Sequence, residues 1–185
     1  MNRKIKNIIN ITAFLVCIGL INIAGQNIEI EIRGMNAFTF ILIVAVLLQI
    51  IFFIPSFLLK TEKYYDLVGS LTYIATVSLA YFSVENKTMI DSVIYFYVMI
   101  WASRLGIYLF TRVRNVGKDV RFEKAKRHFF YFLQYWMGQA LWVSLTACAA
   151  IIAILSPEED TLPVLAMVGM ASVSYTHLRA HETQR

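Results

Sequence analysis

Long apolar runs separated by short charged connections constrain the fold of this chain more than any other sequence feature. Of the 185 residues, 58% are hydrophobic and 16% are charged, whereas about a quarter of a soluble domain is charged. Most runs approach the roughly 20 residues that a helix needs to cross a bilayer. They do not show the alternating polarity of a membrane β-barrel. The runs cover residues 8–24, 36–59, 66–82, 89–110 and about 129–156, with a shorter sixth run at 161–172.

This pattern predicts an all-α fold, a polytopic transmembrane helical bundle of about five complete helices plus a truncated sixth. Residues 1–172 are expected to form one membrane domain, because neither an internal repeat nor a soluble segment interrupts them. The first run resembles either a signal peptide or a spanning helix. We favour the helix, because residues 24–26 make a weak cleavage site and several further runs follow.

Basic residues in the connections predict the orientation in the membrane. The N-terminus has three Lys or Arg, the second connection two and the fourth seven, whereas the alternate connections have one, one and none. Because cytoplasmic loops are enriched in Lys and Arg, the N-terminus and the loop 111–129 are expected to be cytoplasmic, in a bacterial cytoplasmic membrane. A basic loop beside a membrane helix usually contacts anionic lipid headgroups, so the net charge of +5 does not indicate nucleic acid binding.

Individual polar or helix-breaking residues inside the runs carry local predictions. Gln49 is expected to bond across to a neighbouring helix rather than to touch a substrate. Pro55 predicts a kink or break in the second helix, since proline removes a backbone donor. Asp66 is expected to cap the third helix and favour its dipole, with a direct ligand role as the alternative. The third run is also rich in small residues that permit close helix approach.

An arginine inside the fourth run is the first candidate for a functional residue. Because a cationic side chain within a bilayer costs several kcal/mol, Arg104 is expected to face a polar cavity, a carboxylate or an anionic ligand. A purely structural pair between helices is the alternative. Helical spacing predicts that polar tips share its face. These are Tyr97, Trp101, Tyr108 and Thr111.

Cysteine and histidine patterns do not predict a metal site. Cys17 and Cys148 each lie within an apolar run, where a small buried thiol is ordinary. His177 and His181 have the i, i+4 spacing of metal ligands, but they lie in residues 173–185. That tail resembles the translation of a sequencing-library transposon end and its adaptor. We therefore expect it to be an artefact that truncates the natural sequence, and exclude it from the domain.

The stretch from Trp101 to Phe122 carries a family resemblance. It reads W-x-x-R-L-x-x-Y-L, then two arginines, then G-K-D-x-R-F. This pattern resembles bacterial membrane proteins of unknown function that are grouped with steroid 5-alpha reductases. Asp66 followed by Gly69, the aromatic start of the fifth run and the segment from Gln139 to Trp142 also fit. The resemblance covers residues 64–172.

The resemblance implies NADPH-dependent reduction of an enone carbon-carbon double bond in a lipid-like substrate. Arg104, Arg112 and Arg121 are then candidates to neutralise cofactor phosphates, and Asp119 to accept from a ribose hydroxyl or orient an arginine. Tyr108 is the candidate catalytic donor to a carbonyl. The expected partners are membrane lipids and a hydrophobic small molecule.

Two alternatives stay open at this stage. The family's nucleotide-gripping signature has no counterpart before the chain ends, so the parent protein is expected to be the reductase and this chain to be inactive. An isoprenylcysteine methyltransferase-like enzyme using S-adenosylmethionine is one alternative. The other is a non-catalytic multi-span protein in which Arg104 serves helix assembly.

Overall fold

Five α-helices make up almost all of the described structure. The computed structural model describes residues 3–116 and 122–156, and their side chains at 9–115 and 122–156. The predicted sixth run and the tail 173–185 lie outside these ranges. The all-α prediction is confirmed. The helices are α1 (Arg3–Ala24), α2 (Ala37–Leu58), α3 (Tyr65–Ser83), α4 (Met89–Val116) and α5 (Phe129–Leu155).

Three of these helices are long and apolar enough to cross a membrane. They are α2, α4 and α5, and α1 contains a shorter apolar stretch, Ile9–Ala24. Because no bilayer can satisfy a free backbone N–H or C=O group, a helical segment is the form in which such sequences cross it. The chain is therefore an integral membrane protein.

A small β-hairpin, which the sequence analysis did not predict, joins α1 to α2. Its strands, β1 (Glu31–Ile32) and β2 (Met35–Asn36), pair in antiparallel fashion. The two turn residues, Arg33 and Gly34, have φ of 54° and 73°, which is the backbone conformation of a type I′ turn. The Asn36 side chain then accepts a hydrogen bond from the Thr39 backbone N–H at 3.1 Å. This bond caps the start of α2.

Contacts between connections show which ends of the helices lie together. In the connection between α2 and α3, Glu62 is 6% exposed, and its carboxylate accepts a 2.8 Å bond from the Lys126 ammonium. The Tyr64 ring stacks on Phe110 near the end of α4, with 6.4 Å between centroids. The connection between α2 and α3 and the basic segment between α4 and α5 therefore lie at the same end of the bundle. The numbers of Lys and Arg in the connections predict this arrangement.

Two apolar clusters form the core, and one of them uses aromatic residues at the start of α5. Phe132 and Trp136 are fully buried, in a cluster with Phe53 and Phe122. The rings of Phe132 and Trp136 therefore pack inside the protein, against α2 and the residues that precede α5, and do not lie at a membrane interface. The exposed rings of this region are Phe129, Phe130 and Tyr131.

The interface between α2 and α3 contains a buried hydrogen bond. Gln49 is fully buried, and its Nε2 donates to Thr72 Oγ1 at 2.9 Å. The predicted cross-helix role of Gln49 is confirmed. Pro55 does not break α2, which continues to Leu58. The break is absent because a proline removes the bond toward the preceding turn, while its own carbonyl still accepts from the Leu59 N–H at 2.9 Å.

Small residues on α3 and α4 bring three helices into close contact. A Cβ atom added to Gly69 would lie 2.4 Å from Gln139 Nε2 of α5, and one added to Gly106 would lie 2.8 Å from Ser70 Cβ. Both distances are too short for a real Cβ, so glycine permits the approach. The predicted role of the small residues in α3 is confirmed. The same arrangement leaves α4 at the edge of the described bundle, with only 11% of its apolar span buried.

Candidate functional site

A cavity of about 680 Å³ lies among α1, α3, α4 and α5. Its position follows from the close contacts above, since Gly69, Ser70 and Gln139 line it at the point where the helices meet. Six of its sixteen lining residues are aromatic. The aromatic lining residues are Tyr65, Tyr73, Trp101, Tyr131, Tyr135 and Trp142.

The tyrosine hydroxyl groups at two places in the wall tie neighbouring helices together. The Tyr65 hydroxyl donates to the Tyr135 backbone carbonyl at 2.9 Å, joining α3 to α5. The Tyr73 hydroxyl forms a hydrogen bond with Thr146 Oγ1, and the Tyr73 ring meets Trp101 edge to face at 5.1 Å between centroids. These bonds hold the Tyr65 and Tyr73 side chains in place in the wall.

Uncharged polar groups supply the remaining wall. Asn10 of α1 donates from Nδ2 to Gln134 Oε1 at 3.1 Å and so joins α1 to α5. Ser70 Oγ and Gln139 Oε1 are both buried, and neither has a hydrogen-bond partner among the described residues. Buried polar atoms are usually paired in native proteins. These two atoms are therefore hydrogen-bonding groups that the described residues of the wall leave unpaired.

Asp66 is the carboxylate in the cavity lining, and it pairs with an arginine of α4. Its Oδ2 lies 3.5 Å from the Arg112 guanidinium, and the two side chains are 14% and 44% exposed. Tyr64, and not Asp66, occupies the cap position of α3. Asp66 lies instead in the first turn, where it still favours the helix dipole. The pair connects the cavity wall to the basic end of α4.

Arg104 and Tyr108 lie on the outer face of α4, away from this cavity. They line a shallow groove whose other residues are mostly apolar. No described carboxylate forms an ion pair with Arg104. Of the three surroundings predicted for Arg104, the polar cavity and the carboxylate are not found within the described chain, and the anionic ligand stays a prediction. Trp101 was predicted to share a helix face with Arg104, but it lines the cavity. This face of α4 therefore lies at the boundary between the cavity and the outer groove.

Arg104, Tyr108 and Arg112 follow one another at intervals of four residues along α4. Residues at this spacing lie one above the other on a helix, so the phenol is flanked by two guanidinium groups. All three side chains are exposed in the described chain. We call this set the arginine stripe. Asp119 and Arg121, the other predicted cofactor ligands, lie outside the described residues.

Residues 3–116 and 122–156 contain no group of three His, Cys, Asp or Glu residues that could hold a metal ion. The two cysteines, Cys17 and Cys148, are half-buried and unpaired by disulfide. The basic segment beyond α4 contains Lys124, Lys126 and Arg127 among its described residues.

Sequence reasoning missed Ser70 and did not assign Gln139 to a site. Ser70 was one of several small residues in α3, and nothing in the sequence distinguishes the one that faces a cavity. Gln139 and Trp142 lie one turn apart in an apolar helix, and both line the cavity. The sequence signal for this part of the cavity wall is the polar amide of Gln139 one turn from Trp142 in a helix long enough to span the bilayer.

The fold and the cavity define an all-helical integral membrane protein with an open cavity between its helices, lined by aromatic, aliphatic and polar residues. Residues 52–177 match the family model described as a protein of unknown function, DUF1295, and the chain belongs to this family. The match begins within α2 and includes all of α3, α4 and α5, which form the cavity wall except for Asn10. No curated protein and no solved structure matches the chain.

Proposed function

We propose that this chain is the membrane-embedded part of an oxidoreductase that uses NADPH to reduce the carbon-carbon double bond of an enone in a lipid-like substrate. The cavity carries the proposal. Its volume of about 680 Å³ lies within the range of about 300–1,000 Å³ typical of small-molecule sites. A wall of aromatic and aliphatic side chains with a few neutral polar groups suits a hydrophobic body that bears one or two polar atoms. The resemblance of residues 101–122 to the steroid 5-alpha reductase group supports the reaction type.

The arginine stripe is the proposed place for the cofactor phosphates. Arg104 and Arg112 are eight residues apart, which is about 12 Å along a helix. A guanidinium group matches a phosphate in charge and in hydrogen-bond geometry, so two of them at this spacing fit a dinucleotide. Asp119 and Arg121 follow in the adjacent segment and are proposed to contact a ribose hydroxyl and a further phosphate.

The Asp66–Arg112 pair links the proposed cofactor face to the cavity, because one partner lines the cavity and the other belongs to the stripe. NADPH, when bound, supplies the hydride for the alkene carbon. The aromatic wall holds the hydrophobic body of the substrate and excludes water. Tyr108 lies between the two arginines, so its proposed donation to a carbonyl requires that the reactive end of the substrate reaches the outer face of α4.

The stripe also favours a dinucleotide over S-adenosylmethionine. S-adenosylmethionine has a sulfonium cation and one carboxylate, so two arginines would attract it less than they attract several phosphate groups. A non-catalytic role for Arg104 in helix assembly would need a carboxylate or carbonyl partner. No described carboxylate forms an ion pair with it. The charges therefore support the reductase above the other two functions.

Binding of NADPH to the full-length protein in lipid nanodiscs tests the cofactor face. Replacing Arg104 by Gln removes one charge-assisted hydrogen bond, worth about 1.5–3 kcal/mol, so we expect the Kd for NADPH to rise at least tenfold. Arg33→Gln is the matched control, because Arg33 is an exposed arginine in the hairpin at the opposite end of the bundle. Equal affinity of the Arg104 and Arg33 variants, or tighter binding of S-adenosylmethionine than of NADPH, would contradict the assignment.

Turnover is tested on the full-length protein in lipid nanodiscs. β-Ionone is a hydrophobic enone and serves as the probe, with NADPH as the reductant. We expect NADPH oxidation together with a product that has gained two hydrogen atoms across the conjugated double bond, measured by mass spectrometry. NADPH binding without any reduced product from β-ionone or longer enones would refute the reaction while leaving the cofactor face intact.

A further inference from the structure

Two neighbouring sites in the cavity wall present buried polar atoms that the protein does not use. Ser70 is 3% exposed, and its Oγ has no partner among the described residues. The Oε1 atom of Gln139 is likewise buried and unpartnered within the described chain. Both residues line the same cavity. Leaving such atoms unpaired is unfavourable, so each of them is suited to a polar group that enters from the cavity.

The hydroxyl of Ser70 is unusual among the hydroxyls of its own helix. Thr72 and Thr76 each donate to the carbonyl one turn earlier, at 2.7 and 2.8 Å. Ser70 has the same option as any helical serine, yet its Oγ makes no such bond. Its side chain packs against Gly106, whose added Cβ would lie 2.9 Å from Oγ. The hydroxyl is thus directed to a surface shared by α3 and α4.

Gln139 is held in an equally restricted place. Its Nε2 lies against Gly69, so close that a Cβ there would be 2.4 Å away. The amide group therefore fills the space that the glycine leaves, and its oxygen is buried beside the cavity. Because Gly69 precedes Ser70 in the chain, the two unpartnered atoms belong to one region of the wall.

We propose that Ser70 and Gln139 form a polar subsite for a neutral hydroxyl group of the substrate. The reasoning is chemical. An amide oxygen only accepts hydrogen bonds, so a ketone or a carboxylate cannot satisfy Gln139 Oε1. A hydroxyl group donates and accepts, and it can therefore pair with either atom. The inference rests on the proposed function in taking the ligand to be the substrate, and it makes that substrate a hydroxylated hydrophobic molecule.

The rest of the wall agrees with an uncharged ligand group at this place. The described lining residues include the carboxylate of Asp66, which is engaged with Arg112, and otherwise aromatic, aliphatic and neutral polar side chains. A second anion in the cavity would be repelled by Asp66. A neutral alcohol on a hydrophobic ring system therefore fits both the subsite and the aromatic wall.

The subsite is tested in the full chain in nanodiscs with three probes that share one ring system and differ in the oxygen-containing group. They are decahydro-2-naphthol, 2-decalone and decalin, an alcohol, a ketone and a hydrocarbon on the same rings. Binding is followed by the fluorescence of Trp101 and Trp142, which line the cavity, and by thermal shift. We expect the alcohol to bind about tenfold more tightly than decalin, and more tightly than 2-decalone.

Variants identify the residues responsible for that preference. Ser70→Ala and Gln139→Met are each expected to reduce the preference for the alcohol over decalin several-fold. Ser144→Ala is the matched control, because Ser144 is 2% exposed and its Oγ is also unpartnered among the described residues, yet it does not line the cavity. This control is expected to retain the full preference of the unmodified chain.

The outcomes separate the subsite from the reductase. The assay contains no NADPH, so a failure of hydride transfer leaves an alcohol preference standing. Equal affinity of the unmodified chain for decahydro-2-naphthol and for decalin would overturn the subsite. Water would then be the partner of Ser70 Oγ and Gln139 Oε1. The same conclusion follows if Ser70→Ala and Gln139→Met both keep the preference. An intact enone reduction beside either result would overturn the subsite alone.

Discussion

The hydrogen bond between α2 and α3 gives a prediction whose sign depends on which partner is replaced. Gln49 Nε2 donates to Thr72 Oγ1 at 2.9 Å, while the Thr72 hydroxyl itself donates to the Val68 carbonyl at 2.7 Å. Gln49 Oε1 has no partner among the described residues. Thr72 therefore stays satisfied when Gln49 is removed, whereas the Gln49 amide loses its only described bond when Thr72 is removed.

The magnitudes follow from this asymmetry. A hydrogen bond between membrane helices is worth about 0.6 kcal/mol on average. A buried polar group that is left unpaired costs about 1–3 kcal/mol. Thr72→Val loses the bond and strands the whole amide, so we expect the free energy of unfolding to fall by about 1–2 kcal/mol. Gln49→Met loses the bond but removes an unpaired oxygen, so we expect a change between neutral and about 2 kcal/mol of stabilisation.

The assay is equilibrium unfolding by SDS in mixed micelles, followed by near-UV circular dichroism. Thr76→Val is the matched control, because Thr76 is 2% exposed and its hydroxyl donates only within α3, at 2.8 Å to the Thr72 carbonyl. We expect this control to change stability by less than about 0.5 kcal/mol. The reasoning is refuted if Gln49→Met destabilises the protein by as much as Thr72→Val, since the loss of the bond itself would then dominate.

Two further predictions concern the ends of helices. Glu62→Gln weakens the 2.8 Å bond from Lys126, so we expect trypsin to cut the basic segment between α4 and α5 several-fold faster. Glu123→Gln is the control, because Glu123 is exposed. An unchanged cleavage rate would show that the Glu62–Lys126 pair does not hold this segment. Asp91→Ala removes the bond to the Thr88 N–H at 2.8 Å and should cost about 1 kcal/mol, with faster hydrogen exchange confined to the first turn of α4. Uniform exchange along α4 would contradict a capping role.

Much of the fold follows from the sequence because the bilayer restricts the options. Apolar runs of spanning length must become helices, and the five that the structure describes do so. The Gln49 bond was predictable for the same reason, since an amide in an apolar helix seeks a partner on its neighbour. The turn at Arg33 and Gly34 was missed, because a two-residue strand leaves almost no periodic signal.

The site was harder to predict because helical periodicity identifies a face but not what the face contacts. Trp101 and Arg104 lie on one predicted stripe, yet the indole lines the cavity and the guanidinium lies on the outer groove. Asp66 was assigned to a cap from its position at the start of a run. Its partner is Arg112, which is distant in sequence, and only packing of α3 on α4 brings the two together.

The small residues of α3 explain why the cavity lies where it does. Gly69 and Gly106 allow α3 to approach α5 and α4 closely, and this approach packs Gln139 against Gly69 and Ser70 against Gly106. Larger residues at either glycine would separate the helices, as well as displace the polar atoms. Close approach at one level leaves space at the next, because long aromatic side chains such as Trp101 hold the same helices apart there. The contact and the chamber are thus two consequences of one alternation of small and large residues along α3 and α4.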